Sequence, residues 1–160
     1  MTDTTEIAEK FWKSLKSDRT AMVWVEGTPG SRPLTVLVDP DTDKGPLWIF
    51  TSNETDLVQG LSSPRKASLA FSGKGHDVFA SVDGEMSISR DRDTLDRLWN
   101  PFVAAWFEGG KEDPKLTLLR FDASEAKVWI DGSSLLAGLK ILLGSDPKTD
   151  YQDKVAEINV

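Results

Sequence analysis

The side chains with the clearest capacity for chemistry gather at two predicted strand ends. Arg32 opens an alternating segment directly after a turn cluster of Gly27, Pro29 and Gly30, while Thr51, Ser52, Asn53 and Thr55 bring hydroxyls and an amide to the end of another. A guanidinium forks onto an oxyanion, and hydroxyls and backbone amides ahead of a helix complete such a cradle, so the pattern suits a phosphate group. The two sets meet if their strands are neighbours, as their order in the chain suggests. The competing account of the same residues is a surface cation and an ordinary helix cap.

Other candidates are weaker. Asp39, Asp41, Asp43 and Gly45 have the look of a calcium loop, but its sixth position holds Lys44 where glycine is needed and its twelfth holds Phe50 where a bidentate carboxylate is needed. A solvated acidic turn is the expectation. His76 lies between Gly75 and Asp77 with no marked nucleophile, and no serine has a Gly-x-Ser-x-Gly setting, so triad hydrolysis has no support and a loop histidine is expected. Asp91 and Asp93, interleaved with Arg90 and Arg92, read as a charged helix start. Neither Gly-x-Gly-x-x-Gly nor Gly-Lys-Ser/Thr occurs, which removes Rossmann and P-loop nucleotide binding.

The elements that must carry these residues fit one domain over 1–160. The chain has 160 residues, no cysteine and one histidine, which excludes disulfide scaffolds and Cys/His zinc sites. A formal charge of -7 with no cationic run beyond Arg65-Lys66 argues against nucleic acid, and the lack of a long apolar run argues against a membrane span. A cytoplasmic protein is expected. Ile7, Phe11 and Leu15 recur every four residues after Asp3 and Glu6, predicting a capped helix over 4–17. Period-two alternation then predicts strands over 20–25, 32–38, 46–52, 67–72, 78–82, 86–88, 115–122 and 126–131, with Asp83-Gly84 as a hairpin turn. Short helices are expected over 54–62, 94–99 and 101–107, and an apolar helix capped by Ser133 over 135–143. Residues 145–160 read as a polar, loosely held tail. The class is mainly β: an antiparallel barrel with flanking helices.

Particular segments resemble a known family. They are Ser31-Arg32-Pro33-Leu34-Thr35, Leu47-Trp48-Ile49-Phe50-Thr51-Ser52, Leu98-Trp99-Asn100-Pro101, and Ala105-Trp106-Phe107-Glu108-Gly109-Gly110. The chain resembles the general stress protein branch of the pyridoxamine 5'-phosphate oxidase-like flavoproteins over about residues 5–131. The resemblance implies an FMN-binding split barrel working as a homodimer, with the flavin between subunits. It implies that Arg32 and the Ser52, Asn53, Thr55 turn hold the phosphate, that Pro33, Leu34, Ile49, Phe50 and Thr51 line the ring, and that Trp106 arrives from the partner subunit. Trp99 and Trp106 are equally readable as dimer-core residues. One departure is Leu57, which occupies the place of a lysine usual in the family and points to weak or absent FMN binding, with Arg65 or Lys66 as substitutes. FAD is the alternative flavin.

A second departure is the absence of the C-terminal arginine and histidine pattern with which true pyridoxamine phosphate oxidases grip substrate, so that activity is disfavoured. Three functions stay open on the sequence: an FMN-dependent oxidoreductase of unknown substrate, a non-catalytic flavin-binding or sensing module, and a barrel without flavin acting in protein interaction.

Overall fold

The computed structural model describes residues 4–41, 44–130 and 155–160. The expected helix over 135–143 with its Ser133 cap, the Asp3 cap and Asp43 lie outside them. The strands are β1 (Thr20–Val25), β2 (Arg32–Thr35), β3 (Leu37–Val38), β4 (Leu47–Ser52), β5 (Arg65–Ser72), β6 (Val78–Ser89), β7 (Leu116–Ile130) and β8 (Val155–Ile158). All pair antiparallel in the order β2-β1-β5-β6-β7-β4-β3, with β8 beside β7. The first and last strands of that order adjoin in the chain through Val36 alone, so the sheet curls until its two edges meet. Buried Val36 donates its N–H to the Arg19 carbonyl at 2.6 Å and fixes the join.

This junction corrects the continuous strand expected over 32–38. The chain leaves β1 as partner after Thr35 and takes β4 as partner from Leu37, and Val36 cannot belong to both ladders. Asp83-Gly84 is not a hairpin either. β6 runs straight through it, pairing with β5 on one side and β7 on the other, and the register with β7 shifts there. A Cβ on Gly84 would lie 2.2 Å from the Asp122 carbonyl oxygen, so the glycine serves a close backbone approach rather than a turn. The strands expected over 115–122 and 126–131 are likewise one strand, β7, and the end of the supposed tail is β8, whose Ile158 joins the core.

Among the described residues four α-helices flank the sheet: α1 (Thr4–Asp18), α2 (Asp56–Gln59), α3 (Arg92–Leu98) and α4 (Pro101–Ala104). α1 buries Ile7, Phe11, Trp12 and Leu15, and Phe11 meets Trp12 and Phe71 edge-on at 5.0 and 6.4 Å between ring centroids. Each such side chain contributes roughly 1.5–3 kcal/mol by leaving water. α3 covers a smaller cluster of Leu37, Trp48, Leu98 and Leu118 on the outside of the sheet. Among the described residues no helix is long and apolar enough to cross a membrane.

Candidate functional site

A cleft of about 460 Å³ opens where β2 and β4 diverge beneath α4. Its volume falls within the range usual for small-molecule sites, roughly 300–1,000 Å³. One wall is Pro33, Leu34, Thr35 and Leu37; the facing wall is Phe50, Thr51 and Ser52. The β3–β4 pairing ends at Leu37 with Trp48, and beyond it β2 forms one side of the cleft and β4 the other. Trp99 braces the Phe50 ring edge-on at 6.0 Å. The polar groups on its lining are the Thr35, Thr51 and Ser52 hydroxyls, the Asn100 amide and the Arg19 guanidinium.

The roof is α4 and the turn after it. Asn100 caps α4 by accepting the Phe102 and Val103 N–H groups at 2.9 and 3.0 Å, and Pro101 fits the first helical turn because no N–H is needed there. The helix expected through Phe107 ends at Ala104; Trp106 and Phe107 continue in tighter turns, donating to the Val103 and Ala104 carbonyls. Phe102 is left 74% and Trp106 84% exposed over the cleft. Asp113 holds the chain beyond, its carboxylate accepting the Lys115 and Gly109 N–H groups, and these bonds hold its carboxyl below the usual carboxylate value. On the other side Asp91 caps α3, and the Thr94 hydroxyl with neighbouring backbone N–H groups lowers its carboxyl likewise.

Six of the ten sequence-predicted site residues, Pro33, Leu34, Phe50, Thr51, Ser52 and Trp106, line this cleft. Trp106 does so within its own chain. Ile49 does not; it is fully buried in the barrel core. The Asn53 amide instead donates to the Pro114 carbonyl at 2.8 Å, and the Thr55 hydroxyl donates to the Ser52 carbonyl and caps α2. Arg32 is half-buried in β2, paired with Val23 of β1 rather than with β4, and is not among the residues that line this cleft. Leu57 is only 2% exposed and lines a separate cleft of about 210 Å³ together with Arg65, which donates to the Glu26 carbonyl.

Arg19 was not singled out by its sequence context, yet it is the one charged residue among those lining the large cleft. It joins α1 to β1 at φ 59°, its N–H on the Leu15 carbonyl and its carbonyl on Val36. The left-handed region costs a residue other than glycine roughly 1–2 kcal/mol, and sequence alone does not announce it. Of the discarded motifs, Asp39 accepts the Asp41 N–H and pairs with Arg97 at 3.2 Å, and no metal-binding group of carboxylates or histidines occurs among the described residues. His76 sits in an exposed turn, donating its N–H to Gly73.

The family described as pyridoxamine 5'-phosphate oxidase like matches residues 6–151. The crystal structure of the general stress FMN/FAD binding protein from the phytopathogen Xanthomonas citri is 50% identical with a TM-score of 0.78, over 82% of this chain and 93% of that one. General stress protein 26 of Bacillus subtilis is 25% identical over 119 residues, 72% of this chain and 81% of its own. Protein bli-3 of Neurospora crassa is 32% identical over 82 residues, 46% of this chain, and the chain spans only 39% of its length.

Proposed function

This chain belongs to the pyridoxamine 5'-phosphate oxidase-like family, and from that premise we propose that it is a flavin-binding, stress-related protein whose large cleft takes FMN. The observation that carries this reading is the cleft itself: about 460 Å³, walled by Pro33, Leu34 and Phe50, roofed by Trp106, and fringed by Thr51 and Ser52. A flat ring with a polar rim needs apolar faces and a few hydrogen-bonding groups, and both are supplied. The phosphate would lie beside the Thr51 and Ser52 hydroxyls that line the cleft. FMN is preferred to FAD because a cleft of this size holds one nucleotide more readily than two.

When bound, the flavin would supply hydride or electron transfer. This chain's residues would orient it, exclude water from its ring and bias its charge. No carboxylate, histidine or lysine is among the cleft-lining residues, so no acid or base is assigned to the chain, and a non-catalytic flavin carrier is the reading this feature favours second. Exposed Phe102 and Trp106 beside the cleft support a homodimer that covers them. A cytoplasmic setting accompanies the proposal.

Titration of the purified protein with FMN tests it: quenching of flavin fluorescence with saturation at one flavin per chain is expected. An FMN signal that never saturates defeats it. NADH or NADPH oxidation above that of free FMN then separates an oxidoreductase from a carrier.

A further inference from the structure

We propose that residues 99–110 form a strap over the cleft, clasped at its two feet by an ionic network of Arg92, Asp96, Lys111 and Glu112, and that release of this clasp opens the cleft to its ligand. The opening is a property of the chain alone; that the ligand is FMN rests on the flavin reading above. Arg92, in the first turn of α3, pairs with Glu112 and, at 3.5 Å, with Asp96. Asp96 also takes Lys111 at 3.3 Å, and the Arg92 guanidinium donates to the Lys111 carbonyl at 3.3 Å. Signs alternate along Glu112, Arg92, Asp96 and Lys111, so each contact in the network is attractive. The network joins the start of α3 to the short turn over Gly110–Glu112, on the far side of the strap.

Between the feet, little ties the strap to the sheet. Residues 101–106 bury no side chain, although Phe102, Val103 and Trp106 line the cleft. Their backbone bonds are local: Ala104, Ala105, Trp106 and Phe107 donate to Asn100, Pro101, Val103 and Ala104 in turn, and Gly110 donates to Phe107. A surface segment whose ends meet and whose bonds are its own opens as a unit. Apolar anchors stand at its ends, with Leu98 packed in the cluster of Leu37, Trp48 and Leu118 at one and buried Phe107 at the other. Both ends also bend. α3 stops at Trp99 and the chain is extended at Asn100, while Gly110 sits at φ 61° with open space where a Cβ would be, which leaves that turn free to change.

All four charged side chains are open to solvent, and this makes the clasp weak enough to release. One exposed ion pair shifts an equilibrium by about fivefold at most, and three that share Arg92 and Asp96 shift it by about tenfold. The screening length falls from about 30 Å at 10 mM ionic strength to about 3 Å at 1 M, so salt loosens the clasp while the apolar anchors hold.

Hydrogen exchange of the bonded amides over 102–107 tests the clasp with no ligand present. Raising NaCl from about 10 mM to about 1 M is expected to speed their exchange about tenfold relative to the amides of α1. R92Q at low salt should exchange as wild type does at high salt, and should lose the salt response. D96N removes two of the three pairs and carries the same expectation should R92Q not fold. E54Q removes the exposed Lys115–Glu54 pair outside the clasp and should leave the strap unchanged. Equal exchange in wild type, R92Q and D96N at low salt overturns the inference, as does a salt response shared by α1 or an E54Q that exchanges like R92Q. Stopped-flow mixing with FMN then reads the gate: association and dissociation should both quicken in R92Q by the same factor, with Kd unmoved. A dissociation rate that rises alone would make the network a support of the bound state and would overturn the gate. If wild type does not bind FMN, the flavin reading has failed, while the exchange rates still decide whether the clasp holds the strap.

Discussion

Two of the helices that flank the sheet are of opposite character. α1 spans 15 residues and buries four large side chains, whereas α4 spans four residues, buries none, and is followed by a tryptophan 84% exposed. Both carry aromatic groups. The apolar surface of α1 is used up in folding, and that of α4 is left for something else to cover. That exposed aromatic cluster over an apolar cleft is what motivates the proposal of a binding surface there.

That contrast breaks if the two sides respond alike to truncation. Phe11→Ala should lower unfolding stability by about 3–5 kcal/mol in a denaturant titration, with flavin affinity of the folded protein unchanged. Trp106→Ala should do the converse: FMN binding weaker by about tenfold to a hundredfold in a fluorescence titration, which is about 1.4–2.8 kcal/mol, with the melting temperature unmoved. A melting loss in W106A comparable to that in F11A would make α4 a structural cover after all. Asn100→Ala sharpens the comparison, because the cap serves the roof alone. A loss of about 1 kcal/mol is expected, together with a few-fold loss of FMN affinity that leaves α1 amide protection intact.

The smallest effect is one of pH. Asp91 and Asp113 titrate below the ordinary carboxylate value in the folded chain. Their stabilisation is therefore complete above the unfolded value near about 4 and is lost as pH falls through the lower folded values. Hydrogen exchange at pH 3 should accelerate across residues 91–115 ahead of α1. Acceleration in both at once would count against a separately held roof.

Much of this frame is legible in the sequence where a local rule and the tertiary role coincide. The four-residue spacing of Ile7, Phe11 and Leu15 gives α1, and the alternation of Ala21, Val23 and Val25 gives the buried face of β1. Pro33, Leu34, Phe50, Thr51 and Ser52 come together in one cleft because β2 and β4 face each other, unpaired, at the closing edge of the sheet. Local signals fail where a distant segment decides. Asp83-Gly84 has the chemistry of a tight turn, yet β5 and β7 flank it on both sides, so it remains strand. Val36 alternates correctly with its neighbours, but its N–H belongs to Arg19 from another element. The sign of a backbone angle is invisible in a residue type other than glycine, so Arg19 stays hidden until the helix end is seen. Asn53 and Thr55 have the right groups for an anion, but the distant Pro114 carbonyl takes the first and the α2 cap the second.

The last strand has a practical corollary. Val155–Ile158 sits along Ala126–Trp129 of β7 and occupies that stretch of its backbone. Cutting the chain back to residue 154 would strip those amides and carbonyls of their partners and offer a sticky ribbon to any neighbouring molecule. A purification handle is therefore safer ahead of α1 than fused directly behind Val160, where bulk would tug at the seam.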